Sequence, residues 1–303
     1  MGMTLDAPDF HVPTSWEQAL AVKAAHPEAV PVAGGTDLMV EVNFDRRRPP
    51  ALLDLTRVPE LAAVDRVDGR VRLGAGVPYA RMITELGSEL PGLAMAARTV
   101  GSPQIRNRGT AGGNLGSASP AGDCHPPLLA AGAEVELASV RGVRRVPVAE
   151  FFTGPKRSVL EPDELIAAVH VAPATGPQQF AKIGPRNAMV IAVTAFALAL
   201  HPEQRRVGTG IGSAAPTPRR ATDAEEFLSG ELAAAGLWSS RGPLPESLVT
   251  EFGNRVRAAA SPIDDVRGSA DYRRHVLAVL ARRTLTWAWD AHRSTEQRTG
   301  RTA

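Results

Sequence analysis

The feature that most limits how this chain can fold is a paired glycine that occurs twice in similar company, in AGGTDL at 33–38 and in TAGGNLG at 110–116. Adjacent glycines cost folding entropy and are useful where the backbone takes a positive φ or must approach another group closely. Two such stretches in one chain imply two loops closing on one ligand. Successive backbone N–H groups in a glycine-rich turn form an anion-binding nest that holds a pyrophosphate without any lysine. Thr36 and Thr110 add hydroxyls beside these turns. Other nucleotide signatures are missing: no glycine–lysine pair exists for a P-loop, and GAGVPYA at 74–80 lacks the third glycine of the dinucleotide fingerprint, which disfavours a Rossmann domain. GTGIG at 208–212 reads as a tight strand or turn.

Composition narrows the classes. A chain of 303 residues, 44% hydrophobic and 22% charged, has the make-up of a globular protein of roughly two domains. Basic residues number 34 against 32 acidic, and the arginines are scattered among acids rather than gathered into a stripe, so no nucleic-acid surface is expected. The longest apolar stretch, AMVIAVTAFALAL at 188–200, is shorter than the ~20 residues that span a bilayer, and no basic-then-apolar leader pattern follows Met1. A cytoplasmic protein with no membrane partner is therefore expected. The lone cysteine, Cys124, can form no internal disulfide and can hold no iron–sulfur cluster or cysteine-based zinc site. Its neighbour His125 suggests a nucleophile with its base, but adjacent residues rarely face each other productively, and a partly buried structural cysteine is the expected reading.

Local signals suggest a mixed α+β chain. Ser15 to Gln18 fits a capping box before a helix reaching about Ala25, and a strand at 30–32 runs into the first glycine pair. A strand at 51–55 follows, then LAAVDRV and RVRLGAG, joined by the hairpin signal Asp68-Gly69. Helices are expected at about 78–87, 92–100 and 126–132, and a strand over AEVELAS. Between them, the turn-rich stretch from 101 to 123 is expected to be the longest irregular segment. A composition change at 172–179 marks a domain boundary. Beyond it, the sequence predicts strands over FAKIG, the run at 188–200 and 206–214, helices around 222–229, 244–260 and 271–289, and a frayed polar tail from 291 to 303.

AGGTDL, QIRNRGTAGGNLGSASPAGD, EFFTGPKRSVLEPDELI and AKIGPRNAMVIAV stand in one order along the chain. In that order they resemble the FAD-binding, or medium, subunits of the molybdenum hydroxylases, the family of xanthine dehydrogenases, aerobic carbon monoxide dehydrogenases and related oxidoreductases. The resemblance covers about residues 8 to 290. It implies an FAD-binding domain of the vanillyl-alcohol-oxidase (PCMH) type over 1–175, in lobes of about 1–58 and 59–175. A C-terminal α+β domain of the carbon monoxide dehydrogenase flavoprotein type would follow over 176–290.

By this resemblance, Val32, Ala33, Gly34, Gly35, Thr36 and Asp37 wrap the FAD pyrophosphate, and Thr110, Ala111, Gly112, Gly113 and Asn114 supply a second set of backbone donors. Asp123 matches an aspartate that binds the nucleotide portion; its alternative role is the N-cap of the helix that follows. Ser117 falls in the flavin loop, though a turn serine needs no ligand. Leu165 matches a cofactor-contacting leucine, against the reading of an ordinary core leucine, and Lys182 a lysine near the flavin, against a solvated strand-end lysine. Val100 stands where some relatives carry an aromatic. Arg106 and Asn107 are assigned only to shaping the loop. No catalytic or metal-binding residue is assigned.

The implied function is electron transfer. A large molybdopterin-binding partner would oxidise the substrate, a small partner with two [2Fe–2S] clusters would pass electrons to FAD on this chain, and NAD+ or another acceptor would take them away. The alternatives are a self-sufficient FAD oxidase or dehydrogenase, and a scaffold that has lost the flavin.

Overall fold

The computed structural model describes residues 8–299; positions 1–7 and 300–303, included in the domain and tail expectations, lie outside the described residues. The chain opens with β1 (Asp9–His11), α1 (Trp16–Ala25), β2 (Val30–Val32), α2 (Leu38–Asn43) and β3 (Ala51–Asp54). Helix α1 starts where the sequence predicts: the Ser15 hydroxyl accepts the Gln18 amide at 3.2 Å, while the Gln18 side chain reaches back to the Thr14 amide rather than to Ser15. The three strands form a parallel sheet in the order β1-β3-β2, with Phe10 opposite Leu52 and Val32 opposite Asp54.

Next come β4 (Val64–Val67), β5 (Arg70–Gly74), α3 (Tyr79–Glu85), α4 (Pro91–Thr99), α5 (Pro103–Arg108), α6 (Ala111–Ser117) and α7 (His125–Ala130). Then follow β6 (Glu134–Ser139), β7 (Gly142–Pro147), α8 (Val148–Phe151), β8 (Phe152–Gly154), β9 (Arg157–Ser158) and β10 (Leu165–Val171). Asp68 and Gly69, both at positive φ, close the β4–β5 hairpin as their sequence requires. An antiparallel sheet ordered β4-β5-β10-β6-β7 results, with β10 buried along its whole length. Its core is continuous with that of the first sheet, from Ala19 and Leu53 to Leu137 and Val169.

The stretch from 101 to 123 is more regular than its composition suggests. Ser102 caps α5, with Pro103 at the first helical position, and Thr110 caps α6, so two short helices replace the expected irregular segment.

The remainder is β11 (Gln178–Ile183), β12 (Thr194–His201), β13 (Arg206–Gly212), α9 (Thr222–Ala234), α10 (Leu237–Ser240), α11 (Glu246–Ala258) and α12 (Ala270–Thr299). The three strands pair antiparallel in chain order, and α11 and α12 pack Phe252, Leu277 and Leu285 into a second core with Phe196 and Leu198. GTGIG is strand. A Cβ on Gly208 or Gly210 would strike the carbonyls of Ala130 and Pro126, so these glycines let α7 lie directly on β13. Of the apolar run at 188–200 only the part from Thr194 is strand. The polar tail expected from 291 instead continues α12 to Thr299, and Ala288, Trp289 and His292 are buried on that helix. No helix among the described residues is long and apolar enough to cross a membrane.

Candidate functional site

The two glycine loops meet. Gly34 sits so close to the chain before α6 that a Cβ there would collide with the Arg108 carbonyl, and a Cβ on Gly113 would lie 3.9 Å from that of Ala33. Gly35 holds φ +72°, a conformation that favours glycine. Together the loops form one end of a cleft of about 920 Å³ that runs between the first two sheets and is overhung by Met189, Val190 and Ile191 from the segment before β12.

Val32, Ala33, Gly34, Gly35, Thr36, Asp37, Val100, Thr110, Gly112, Gly113, Asn114, Ser117, Asp123 and Leu165 all line this cleft. Ala111 and Lys182 do not: Ala111 is buried in the core beneath, and Lys182 stands behind Asp123.

Backbone donors dominate the glycine end. The amides of Gly34, Gly35, Thr36, Asp37 and Leu38 donate to no acceptor among the described residues, and neither does that of Gly112. Thr110 behaves otherwise than expected: its hydroxyl oxygen accepts the Gly113 amide at 2.9 Å, removing that donor from the nest while leaving its own proton free to donate. Gly112 serves packing as well as the loop, since a Cβ there would lie 2.5 Å from the Cβ and carbonyl oxygen of Ala75.

Asp123 organises a further part of the cleft wall. Its Oδ2 takes the Lys182 ammonium at 2.6 Å and the Thr99 hydroxyl at 3.5 Å, whereas its Oδ1 is buried without any partner. Burial pushes the carboxyl above the usual aspartate range, opposed by Lys182. Cys124, not Asp123, is the N-cap residue of α7, and no side chain caps that helix, so the capping role fails. Lys182 is 9% exposed and also donates to the carbonyls of Thr99 at 3.0 Å and Val190 at 3.2 Å, far from the solvated lysine of a strand end.

Asn114 turns its Oδ1 to the Cys124 amide at 3.3 Å, leaving its NH2 group uncommitted, and Ser117 donates back to the Asn114 carbonyl. Leu165 is 2% exposed at the start of β10, both core and cleft wall. Val100 ends α4 beside the mouth.

Sequence reasoning missed several wall residues. Tyr79 reaches the cleft because its amide bonds the Gly109 carbonyl, drawing α3 against the second glycine loop. Lys156, after β8, pairs with Glu41 of α2 across the rim. Glu164 is fixed by two bonds from Arg144, at 2.7 and 2.8 Å. The overhanging Met189 to Ile191 belonged to a quoted motif but carried no signal of its own, because contacts between distant segments leave no local pattern. Among the described residues no cluster of three His, Cys, Asp or Glu side chains could hold a metal ion.

The donor set fits an extended dinucleotide: free amides suit a pyrophosphate, an unpartnered carboxylate oxygen suits a hydroxyl or N–H donor, and the volume lies near the top of the ~300–1,000 Å³ usual for cofactor pockets. Comparison with known proteins agrees. Residues 5–174 match the family described as FAD binding domain in molybdopterin dehydrogenase, and residues 179–288 match the CO dehydrogenase flavoprotein C-terminal domain. The nicotine 6-hydroxylase medium subunit of Paenarthrobacter nicotinovorans is 32% identical over 94% of this chain and 99% of its own length. A xanthine dehydrogenase FAD-binding subunit of Escherichia coli O157:H7 is 28% identical, with 93% and 96% covered. The structure of reconstituted CO dehydrogenase from Oligotropha carboxidovorans superposes with a TM-score of 0.85 at 26% identity, covering 94% of this chain and 98% of that one. A chain so matched along nearly its whole length belongs to the FAD-binding, or medium, subunits of the molybdenum hydroxylase family of oxidoreductases.

Proposed function

We propose that this chain is an electron-transfer subunit that receives electrons from the [2Fe–2S] clusters of a small partner and hands them to NAD+ or another acceptor, while a large molybdopterin-binding partner oxidises the substrate. The observation that carries this reading is the cleft, whose wall carries both a row of free amides and the unpartnered Asp123 oxygen. FAD bound there supplies the chemistry that joins one-electron donors to a two-electron acceptor.

The chain's own residues have the following parts. The amides of 34–38 and of Gly112 hold the pyrophosphate, with Thr110 and Thr36 as hydroxyl donors and Val32, Ala33 and Gly113 shaping the loops around it. Asp123 accepts a hydrogen bond from the cofactor, and Asn114 and Ser117 hold the second glycine loop against the segment that carries Asp123. Val100 and Leu165 supply apolar wall, and Ala111 seats α6 in the core. The single cysteine supports placing every iron–sulfur cluster on a partner chain. We divide the chain into an FAD-binding domain over 1–175 and a C-terminal domain from 176, and place it in the cytoplasm.

The test is turnover by the full chain with FAD, first alone and then with its two partners. Alone it should reduce artificial dyes from NADH, or from another donor if NAD+ is not its acceptor, and should oxidise no xanthine, aldehyde or N-heteroaromatic. Steady oxidation of such a substrate by the isolated chain would instead indicate a self-sufficient oxidase.

A further inference from the structure

Lys182 reaches the site from β11, outside the two sheets that form the cleft. Its ammonium makes three bonds: to Asp123 Oδ2 at 2.6 Å, to the Thr99 carbonyl at 3.0 Å and to the Val190 carbonyl at 3.2 Å. An ammonium has three protons to give, so all are committed and none remains for a ligand. Asp123, with its side chain 10% exposed, keeps one oxygen on Lys182 and leaves the other buried, unpartnered and on the cleft wall. A buried carboxylate is costly unless paired, and an uncompensated one protonates instead. Protonated, it would no longer be an acceptor at both oxygens.

We propose that Lys182 is a positioning residue that never touches the cofactor: it holds Asp123 as an ionised acceptor, with Oδ1 turned to the cleft, for a hydroxyl or N–H donor of bound FAD. The inference rests on the flavin reading above. The same ammonium ties the Val190 overhang and the end of α4 to this carboxylate, so three segments distant in sequence meet on one charge.

The test is a double-mutant cycle on the full chain, with the FAD dissociation constant read from quenching of flavin fluorescence. Asp123→Asn should weaken binding about tenfold through loss of a charge-assisted hydrogen bond. Lys182→Met should weaken it to a similar extent at pH 7, and affinity should recover as pH rises and the unpaired carboxyl ionises. The other titratable groups facing Asp123 are the Cys124 thiol and the Tyr79 phenol, both buried and both displaced upward by burial, so they stay neutral through this range. In Asp123→Asn/Lys182→Met, where no charge needs a partner, binding should match the Asp123→Asn value within about threefold. If Lys182→Met fails to fold, the comparison of Asp123→Asn with the double variant still decides. Multiplying losses, about a hundredfold in the double variant, would show that Lys182 contacts FAD itself and overturn the proposal, as would unchanged affinity in a folded Lys182→Met. Failure of the unaltered chain to bind FAD would overturn the flavin reading instead.

Discussion

Two neighbouring side chains behind the cleft carry clear expectations. Cys124 is fully buried, and burial beside Asp123 pushes its thiol well above the ordinary range. In the native protein it should resist Ellman's reagent for hours and react as one thiol per chain only in denaturant; rapid native labelling would contradict the burial described. His125 is also fully buried, its Nε2–H donating to the Asn114 carbonyl at 3.2 Å, and burial pushes its imidazole down to about 4. Its depressed value means that the folded protein keeps it neutral while the unfolded chain takes up a proton near the usual pKa of about 6.5. Its contribution is therefore fully present above about pH 6.5 and is lost as pH falls towards 4, to a total of ~3 kcal/mol. His201, lowered chiefly by burial, acts in the same direction. Thermal unfolding between pH 7 and 4 should thus fall less steeply in His125→Phe than in the unaltered chain; parallel curves would remove His125 from the account.

Elements meet here through backbone contacts, and glycine marks where. Gly34→Val would force the first glycine loop off the Arg108 carbonyl, and the variant should either lose at least ~2 kcal/mol of stability or lose flavin with its fold intact. Denaturant melts paired with flavin content on the purified variant would show which, and unchanged values for both would mean that the loops do not meet. Gly112→Val is less informative about a ligand, since its side chain would strike Ala75 before anything in the cleft. Both glycine pairs, the Asp68-Gly69 hairpin and the α1 cap were legible in the sequence, because each follows from the φ or hydrogen-bonding preference of its own residues. Strands β7 to β10 left no comparable mark. β10 is buried on both faces and so lacks the alternation that identifies a strand, and β8 and β9 are too short for any period. The helices α5 and α6 were hidden because α5 is only six residues long and α6 is glycine-rich, yet the Ser102 and Thr110 caps start both. Within the site, the glycine loops and Asp123 were readable from their motifs, but Tyr79, Glu164 and the overhang at 189–191 were not, nor was the commitment of Lys182 to Asp123, as the two lie 59 positions apart.

At the scale of the whole molecule, three sheets share the work of making one cleft. The parallel sheet and the five-stranded sheet supply its sides, while the third sheet's leading segment supplies the overhang through Met189, Val190 and Ile191. The glycine-lined contact of α7 with β13 and the bond from the Ser213 amide to the Pro120 carbonyl at 2.8 Å fix the last sheet against the loop that follows α6. The cofactor end and the overhang are therefore held in one framework, and the central claim is that this framework carries FAD and no other redox centre. The most direct measurement is the visible absorption spectrum of the purified chain, followed by heat release and chromatographic identification of the cofactor. The account predicts flavin bands near ~370 and ~450 nm, release of FAD, and no iron–sulfur absorption. A folded, colourless protein that also fails to take up added FAD would contradict it.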